Sequence, residues 1–425
     1  WKNSPGRVKK RSSWMNLNPM VWSASPDITA RLPMWRAQFP ALANKHYFNF
    51  GGQGPMPETA LIAIDQAHRT LQTAGPFSEG TNQWIQQSTM AMRQALAGLL
   101  QVPVEAMTLT EDVTVGCNIP LWGMDWQAGD RILLTDCEHP GVIAAVQEIS
   151  RRFQIEVDFC PLLATAQGGD PIAVIEAALQ PRTRLLVVSH ILWNTGQLLP
   201  LTDIVQRCHA HSPQPVWVLV DAAQSVGMLP LDLTATEVDF YAFTGHKWCC
   251  GPAGLGGLYV RPAVREAIAP TFIGWRGITI DAQANPTGWK PNGQRYEVAT
   301  SDYPLIVGLQ AALTLHQEWS TPETRFQRIC ELSAALWQSL QTHPRLRLVT
   351  ATPPQSGLIS FEILDATGQP SPERHVQLVK ALEAEAMLLR ILLHPHCVRA
   401  CVHYFTLEAE VTALSDRIRQ WVDKH

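Results

Sequence analysis

Residues 239–260 read Asp239-Phe-Tyr241-Ala-Phe-Thr-Gly-His-Lys247-Trp-Cys-Cys-Gly251-Pro-Ala-Gly-Leu-Gly-Gly-Leu-Tyr-Val260. An apolar run of strand length, 239–243, delivers a lysine into a Gly-rich turn, and a second such run, 256–260, leaves it. Upstream the same texture repeats. Residues 131–135, 155–159, 184–189 and 216–220 are short apolar, β-branched runs, separated by helical spacing over 141–153, 172–179 and 201–208. The stretch from Thr108 to Asn118 has the form of another strand leading into a helix. Strands alternating with helices predict an α/β fold whose mostly parallel, seven-stranded sheet is covered on both faces. In such a sheet ligands gather at the carboxyl ends of the strands, where Thr244, His246 and Lys247 fall.

After residue 303 the texture changes. Two helical stretches, 304–319 and 324–340, lead to short strands at 346–349 and 358–363. A helix at 372–383, strands at 388–392 and 398–404 and a terminal helix follow. Few strands with helices appended predict a smaller α/β domain over 304–425, behind a large domain over 61–303. The first 35 residues, basic at Lys2, Arg7, Lys9, Lys10 and Arg11 and beginning with Trp1, are expected to lie outside the fold as a disordered or non-native extension.

The bulk numbers exclude several function classes. Hydrophobic residues make up 46% and charged residues 16% of 425, and the formal net charge is -4, so electrostatics favours neither nucleic acid nor a membrane surface. No segment approaches the roughly 20 apolar residues of a spanning helix. The 9 cysteines have no paired metal-ligand spacing, and an odd number suits reduced thiols in the cytoplasm and no metal centre.

A lysine at a strand end can form a Schiff base with an aldehyde cofactor and then carry a proton, although an isolated one is usually just solvated. Asp221 ends the otherwise apolar run 216–220, where a carboxylate needs a partner. A helix N-cap is one such role, and the protonated pyridine nitrogen of pyridoxal 5′-phosphate (PLP) is another. Together with Lys247 the second is favoured. Thr114 and Val115 fall near a helix start, the usual place for phosphate, with Pro120 leaving the helix boundary open. Asn194 in Ser189-His-Ile-Leu-Trp-Asn194 and His139 in Asp136-Cys-Glu-His-Pro-Gly141 both follow strands. The first could donate to a phenolate oxygen and the second could lie flat on a pyridine ring.

The segments TEDVTVGCN, DCEHPG, SHILWNTGQLLP, VDAAQS and FTGHKWCCGPAGLGGLYV, in this order and spacing, resemble the class V aminotransferase and cysteine desulfurase superfamily over residues 45 to 425. The resemblance implies a fold type I PLP enzyme. In it Lys247 holds the cofactor, Asp221 pairs with the pyridine nitrogen and His139 stacks on the ring. It further implies that Gln224 and Asn194 contact the phenolic oxygen and that Thr114, Val115, Thr244 and His246 hold the phosphate. Thr300 would complete that cup in a neighbouring subunit, making a homodimer with a shared active site. Arg399 resembles the arginine that grips the substrate α-carboxylate, and Arg390 is a second candidate for a second carboxylate.

Desulfurases carry a nucleophilic cysteine on a mobile loop, but here only Ile391-Leu-Leu-His-Pro-His-Cys-Val398 separates the two arginines. Cys397, beside Arg399, is expected to be a near-buried thiol. The short interval, Gly51-Gly-Gln-Gly-Pro55 and GHKWCCGPAG together resemble L-cysteine/L-cystine C–S lyases, in which residues 36–60 would pack on the small domain and Gly51 border the substrate. The reaction implied is β-elimination. Lys247 takes the α-proton, the β-sulfur leaves, and the remainder hydrolyses to pyruvate and ammonia. A desulfurase using Cys397, with alanine as product, is the alternative, and a sulfur carrier on a retired PLP fold is a third option. A sulfur or iron–sulfur acceptor protein stays open as a partner. The role of Trp275-Arg-Gly277 also stays open, with a place near the partner subunit's site as one option.

Overall fold

The computed structural model describes residues 26–425, with side chains from Ala30 onward. Its centre is a seven-stranded sheet built from β1 (Met107–Thr110), β2 (Arg131–Thr135), β3 (Glu156–Cys160), β4 (Thr183–Ser189), β5 (Trp217–Asp221), β6 (Phe240–Thr244) and β7 (Gly256–Val260), in the order β1-β7-β6-β5-β4-β2-β3. Neighbours pair in parallel except around β7, which runs antiparallel to both β1 and β6. Leu185–Val188 of β4 and Val218–Val220 of β5 are wholly buried, as expected of strands covered on both faces.

Helices α1 (Glu58–Ala74), α2 (Glu79–Leu100), α3 (Val113–Gly123), α4 (Pro140–Phe153), α5 (Pro171–Ala178), α6 (Leu201–His209) and α7 (Pro304–Trp319) belong to this layer or bridge from it. Helix α3 opens at the carboxyl end of β1, with Asp112 as N-cap accepting from Val115 N at 2.9 Å. It runs through Pro120, so the proline kinks no boundary at the helix start. Gly116 lets α3 press against the sheet, since a Cβ there would lie 2.9 Å from the Ala242 Cβ.

Past α7, helix α8 (Pro322–Gln341) leads into a four-stranded antiparallel sheet of β8 (Leu346–Leu348), β9 (Leu358–Ile363), β10 (Arg390–Leu393) and β11 (His396–Cys401), in the order β8-β9-β11-β10. Helices α9 (Pro372–Ala384) and α10 (Glu408–Lys424) cover it, and the layer has its own core around Leu336, Phe361, Val398 and Leu414. The N-terminal strand His46–Tyr47 pairs in parallel with Met387–Leu388, and Phe48 is buried in that second core. Phe50, two residues on, belongs to the larger core instead.

The beginning of the chain corrects one expectation. Residues 1–25 lie outside the described residues, but Pro26–Arg36 is a helix. Leu32 and Trp35, three apart on one face, are buried in the main core, and Arg36 bonds Glu410 Oε1 at 2.7 Å and Phe405 O at 2.9 Å. The boundary expected at residue 35 is therefore too late, because the described fold already includes the helix from Pro26. A mean composition that looks basic and weakly apolar hides two well-spaced apolar anchors.

The same substitution should have opposite effects at two helical glycines. A Cβ at exposed Gly98 in α2 meets nothing within 4 Å, so Gly98→Ala is expected to stabilise the chain by about 0.5–1 kcal/mol. Gly116→Ala, forced against Ala242, is expected to destabilise it by about 1–3 kcal/mol. Denaturant unfolding of the two variants checks this, and equal midpoints would refute the close packing of α3.

Candidate active site

The loops at the carboxyl ends of the parallel strands enclose a cavity of ≈ 240 Å³. Its wall includes Asp112 and Thr114 from the start of α3, His139 from the turn after β2, Ser189 and Trp193 after β4, Asp221 and Gln224 after β5, and His246 and Lys247 after β6. Gly52 and Arg390 close it from the N-terminal segment and the small sheet. Strand register explains part of the convergence: Ser189 pairs with Asp221, and Asp221 with Ala242, so three strand ends meet at one level.

Loss of water lowers the Lys247 pKa to about 8. The Asp221 carboxylate opposes the shift, while Arg399 and Arg390 reinforce it. An amine so placed is partly unprotonated near neutrality, the form that attacks an aldehyde or accepts a proton. Asp221 is buried and spends one oxygen on Ala223 N at 2.9 Å, leaving its carboxylate on the cavity wall.

His139 caps α4, its Nδ1 accepting from Gly141 N at 3.2 Å, so a neutral ring carries its proton on Nε2. Burial depresses its pKa, with Lys247 and Arg390 adding to the effect and Asp221 opposing it. Its ring meets Trp193 edge-on at 5.5 Å between centroids.

The opposite end of the cavity suits an anion. Among the described residues, the N–H groups of Val113 and Thr114 at the first turn of α3 have no partner. Thr244 Oγ1 lies 2.6 Å from His246 Nδ1, and burial depresses the His246 pKa. With the threonine hydroxyl donating to Nδ1, the neutral ring presents an Nε2–H donor. The whole set fits a phosphorylated pyridine aldehyde. It offers donors for the phosphate, a carboxylate for the ring nitrogen, an amine for the aldehyde and an imidazole for the ring face.

At the substrate side, Arg390 and Arg399 stand directly opposite each other on β10 and β11. Arg399 is 1% exposed, and its Nη1 donates to Trp193 O at 2.7 Å. Its Nε and Nη2 have no partner, and among the described residues neither arginine meets a carboxylate. Two adjacent guanidiniums with no counter-ion repel each other, and here only Arg399 is buried while Arg390 is exposed to solvent. Gly51 is what lets the guanidinium lie where it does, because a Cβ there would sit 2.9 Å from Arg399 Nη2. The site is shaped for an anion that the chain itself does not provide.

Some residues singled out in the sequence sit elsewhere. Val115 N–H is taken by Asp112, so the free donors are one and two residues earlier. Thr244 orients His246 and does not line the cavity. Asn194 is fully buried, its Nδ2 donating to His394 O at 3.1 Å and its Oδ1 left without a partner. The hairpin turn, packed over the loop after β4, has claimed the amide expected to serve a phenolic oxygen. Gln224 does line the cavity but is already held by Gly51 O at 3.0 Å and by Trp248 Nε1 at 2.8 Å, leaving one amide hydrogen uncommitted. Thr300 is exposed, away from this chain's cavity. Cys397 is fully buried in β11, and burial pushes its thiol up to about 12.

Three participants were missed in the sequence. Trp193 positions Arg399 and faces His139, and Asp112 caps α3 at the cavity wall. Glu138 is buried beneath the site, accepting from Thr135 Oγ1 at 2.6 Å and from Ser189 N and Oγ at 3.1 and 2.8 Å. Burial and then the Asp221 charge push it up to about 7, against the hydrogen bonds. A glutamate beside His139 at the end of an apolar strand was the signal available for it.

Comparison with known proteins follows the same lines. The family model described as aminotransferase class-V matches residues 47–413. Isopenicillin N epimerase of Streptomyces clavuligerus is 26% identical over 381 residues, 87% of this chain and 93% of that protein. A cysteine desulfurase of Klebsiella pneumoniae (strain 342) is 31% identical over 292 residues, 66% of this chain and 70% of its own. Among solved structures, the cystine C–S lyase C-DES, in complex with its reaction product cysteine persulfide, superposes with a TM-score of 0.86 at 50% identity. That likeness covers 91% of this chain and 99% of C-DES. A lysine-to-alanine mutant of C-DES has glycine covalently linked to its PLP cofactor.

The depressed amine gives a titration to measure. Reductive trapping of a small aldehyde on the cofactor-free chain should reach its half-maximal rate near pH 8, against the ordinary lysine value of 10.5. In Asp221→Asn the midpoint should move lower still, because the carboxylate that favours the ammonium form is gone. A midpoint near pH 10 in the unsubstituted chain would contradict the burial of Lys247.

Proposed function

The chain belongs to the aminotransferase class-V family, and we propose that it is a PLP-dependent carbon–sulfur lyase. It eliminates sulfur from L-cystine or L-cysteine to give pyruvate, ammonia and cysteine persulfide or sulfide. The observation that carries this reading is the hairpin of β10 and β11, which places Arg390 across from Arg399 and shuts Cys397 into the sheet. The named activity of C-DES, at 50% identity, supports it.

In this reading the labour divides between the two layers. Residues 61–303 hold the cofactor and 304–425 supply the carboxylate grip. PLP, when bound, supplies an electron sink for the α-carbon. Lys247 anchors it and then, with its amine near neutrality, takes the α-proton of the substrate. Asp221 would keep the ring nitrogen protonated, and His139 would lie against the ring. The N–H groups of the α3 start, Thr114 and His246 would hold the phosphate, while Gln224 has one amide hydrogen left for the phenolic oxygen. Arg399 takes the α-carboxylate with its two orphaned nitrogens, and Gly51 leaves room for both. Arg390, at the mouth, meets the second carboxylate of cystine. Departure of the β-sulfur needs no protein acceptor, since a persulfide leaves more readily than an alkyl thiolate.

Exposed Ile273, Trp275 and Trp289 line a shallow apolar concavity on the large domain, and Phe272 and Ile280 in the same stretch are also exposed. A patch of that kind supports a second copy of this chain as its cover, with Thr300, a short distance along the same stretch, reaching the other copy's phosphate. The 9 cysteines are all unpaired, which suits a reducing cytoplasm. Among the described residues no helix is long and apolar enough to cross a membrane and no metal-binding cluster is present.

The alternative, a cysteine desulfurase, has the Klebsiella relative in its favour and requires Cys397 to receive sulfur. A strand thiol pushed up to about 12 is a poor nucleophile near neutrality. Turnover of L-cystine by the purified holoenzyme separates the two. Pyruvate and ammonia in equal amounts, unchanged in Cys397→Ser, are expected; alanine, with turnover lost in Cys397→Ser, would replace the lyase with the desulfurase. Lys247→Ala should reduce turnover by at least about a thousandfold, as expected for loss of the group that both anchors and moves a proton.

A further inference from the structure

The Trp275-Arg276-Gly277 segment takes no part in the chemistry above, yet it is fixed with unusual economy. It lies flat along residues 295–298. A Cβ on Gly274 would sit 2.0 Å from Val298 O and one on Gly277 2.6 Å from Arg295 O, so no side chain fits at either position. Arg276 N donates to Val298 O at 3.3 Å. From that backbone the guanidinium reaches around the next turn. Its Nη2 donates to Glu297 Oε2, and its Nη1 to Ala299 O at 3.2 Å and Ser301 Oγ at 3.1 Å.

Glu297 ties this clamp to the core. It is buried, grips Arg93 at 2.6 and 2.7 Å, and accepts from Leu109 N of β1 at 3.1 Å. A continuous set of bonds thus runs from the central sheet, through one carboxylate, to the residues on either side of Thr300. Thr300 itself is exposed, and among the described residues its side chain makes no hydrogen bond. Ordering a surface turn costs backbone entropy, and here the charge-assisted bonds are directed at the neighbours of a residue whose own side chain makes no hydrogen bond among the described residues.

We propose that Arg276 is a positioning residue: it fixes the 297–301 turn so that the Thr300 hydroxyl is presented to the cofactor-phosphate site of a second copy of the chain. This rests on the shared-site dimer proposed above. It gives the Trp275-Arg-Gly277 segment a role exerted in trans, one subunit's guanidinium preparing the other subunit's anion site.

Cofactor affinity of the dimeric, cofactor-stripped protein tests it, read by titration with PLP. Loss of one hydrogen bond to a charged group predicts roughly 10- to 100-fold weaker binding in Thr300→Val. Arg276→Gln should weaken binding about 10-fold, within the same range, by letting the turn wander. The double variant should bind no worse than Thr300→Val alone, because Arg276 acts only through Thr300. A purely structural role would instead give losses that multiply, and that result overturns the proposal, as does wild-type affinity in Arg276→Gln.

Co-expressed dimers of Arg276→Gln with Lys247→Ala provide the test of direction. One site in each mixed dimer combines an intact Lys247 with an intact Arg276 turn, so its PLP affinity should return to the wild-type value; failure to recover overturns the trans role. Wild-type affinity in Thr300→Val, or a monomer by sedimentation, would overturn the shared-site reading itself and the proposal with it.

Discussion

A buried guanidinium without a carboxylate organises this molecule. Arg399 comes from β11 of the small sheet, is held by Trp193 O from the large sheet, and lies against Gly51 from the N-terminal segment. Three separate stretches of chain therefore meet at one positive charge. In water such a charge costs nothing to leave unpaired, but in a packed interior it does, and breaking an equivalent buried pair costs about 3–5 kcal/mol. The fold keeps its Nε and Nη2 without a partner behind the cavity wall, and in the proposed reaction a substrate carboxylate would satisfy them. In the proposed reaction, a carboxylate so held would confine the α-carbon to the neighbourhood of the Lys247 amine.

The cofactor end obeys the complementary rule. Its groups are arranged by strand register and helix capping, which leave donors free at the α3 start and a carboxylate at the end of β5. Glu138 adds a second layer, bonding the ends of β2 and β4 together under His139. Between the two ends, the burial that lowers Lys247 also raises Glu138, as one loss of hydration acts on groups of opposite charge.

Much of this was legible in the sequence because local signals and global fold agree. Apolar runs at 131–135, 256–260 and 358–363 coincide with the strands found, and the others of the large sheet are displaced by a residue. The run expected at 398–404, by contrast, is found at His396–Cys401, and that at 388–392 is split between Met387–Leu388 and Arg390–Leu393. Lys247, Asp221, His139 and His246 were readable because each sits immediately after such a run. What was not readable depends on tertiary register. That Arg390 faces Arg399 requires knowing that a hairpin turns at His394–Pro395, and that Asn194 is occupied requires knowing where this turn lands. The helix Pro26–Arg36 is hard to read in the sequence because Pro33 lies inside it and only Leu32 and Trp35 anchor it in the main core. The competition between Asp112 and an incoming anion for the donors of α3 is likewise a matter of geometry, invisible in the spacing of threonines.

The claim on which the account depends is that the Arg399 guanidinium is the receptor for the substrate carboxylate. Glycine tests it most directly, because it carries the carboxylate and the amine but has no sulfur to lose. Spectroscopic titration of the holoenzyme with glycine should show binding at least about 100-fold weaker in Arg399→Gln than in the unsubstituted protein, the order expected for removing one partner of a buried charged pair. Equal affinity in the two proteins would contradict the assignment and leave the orphaned guanidinium without a role.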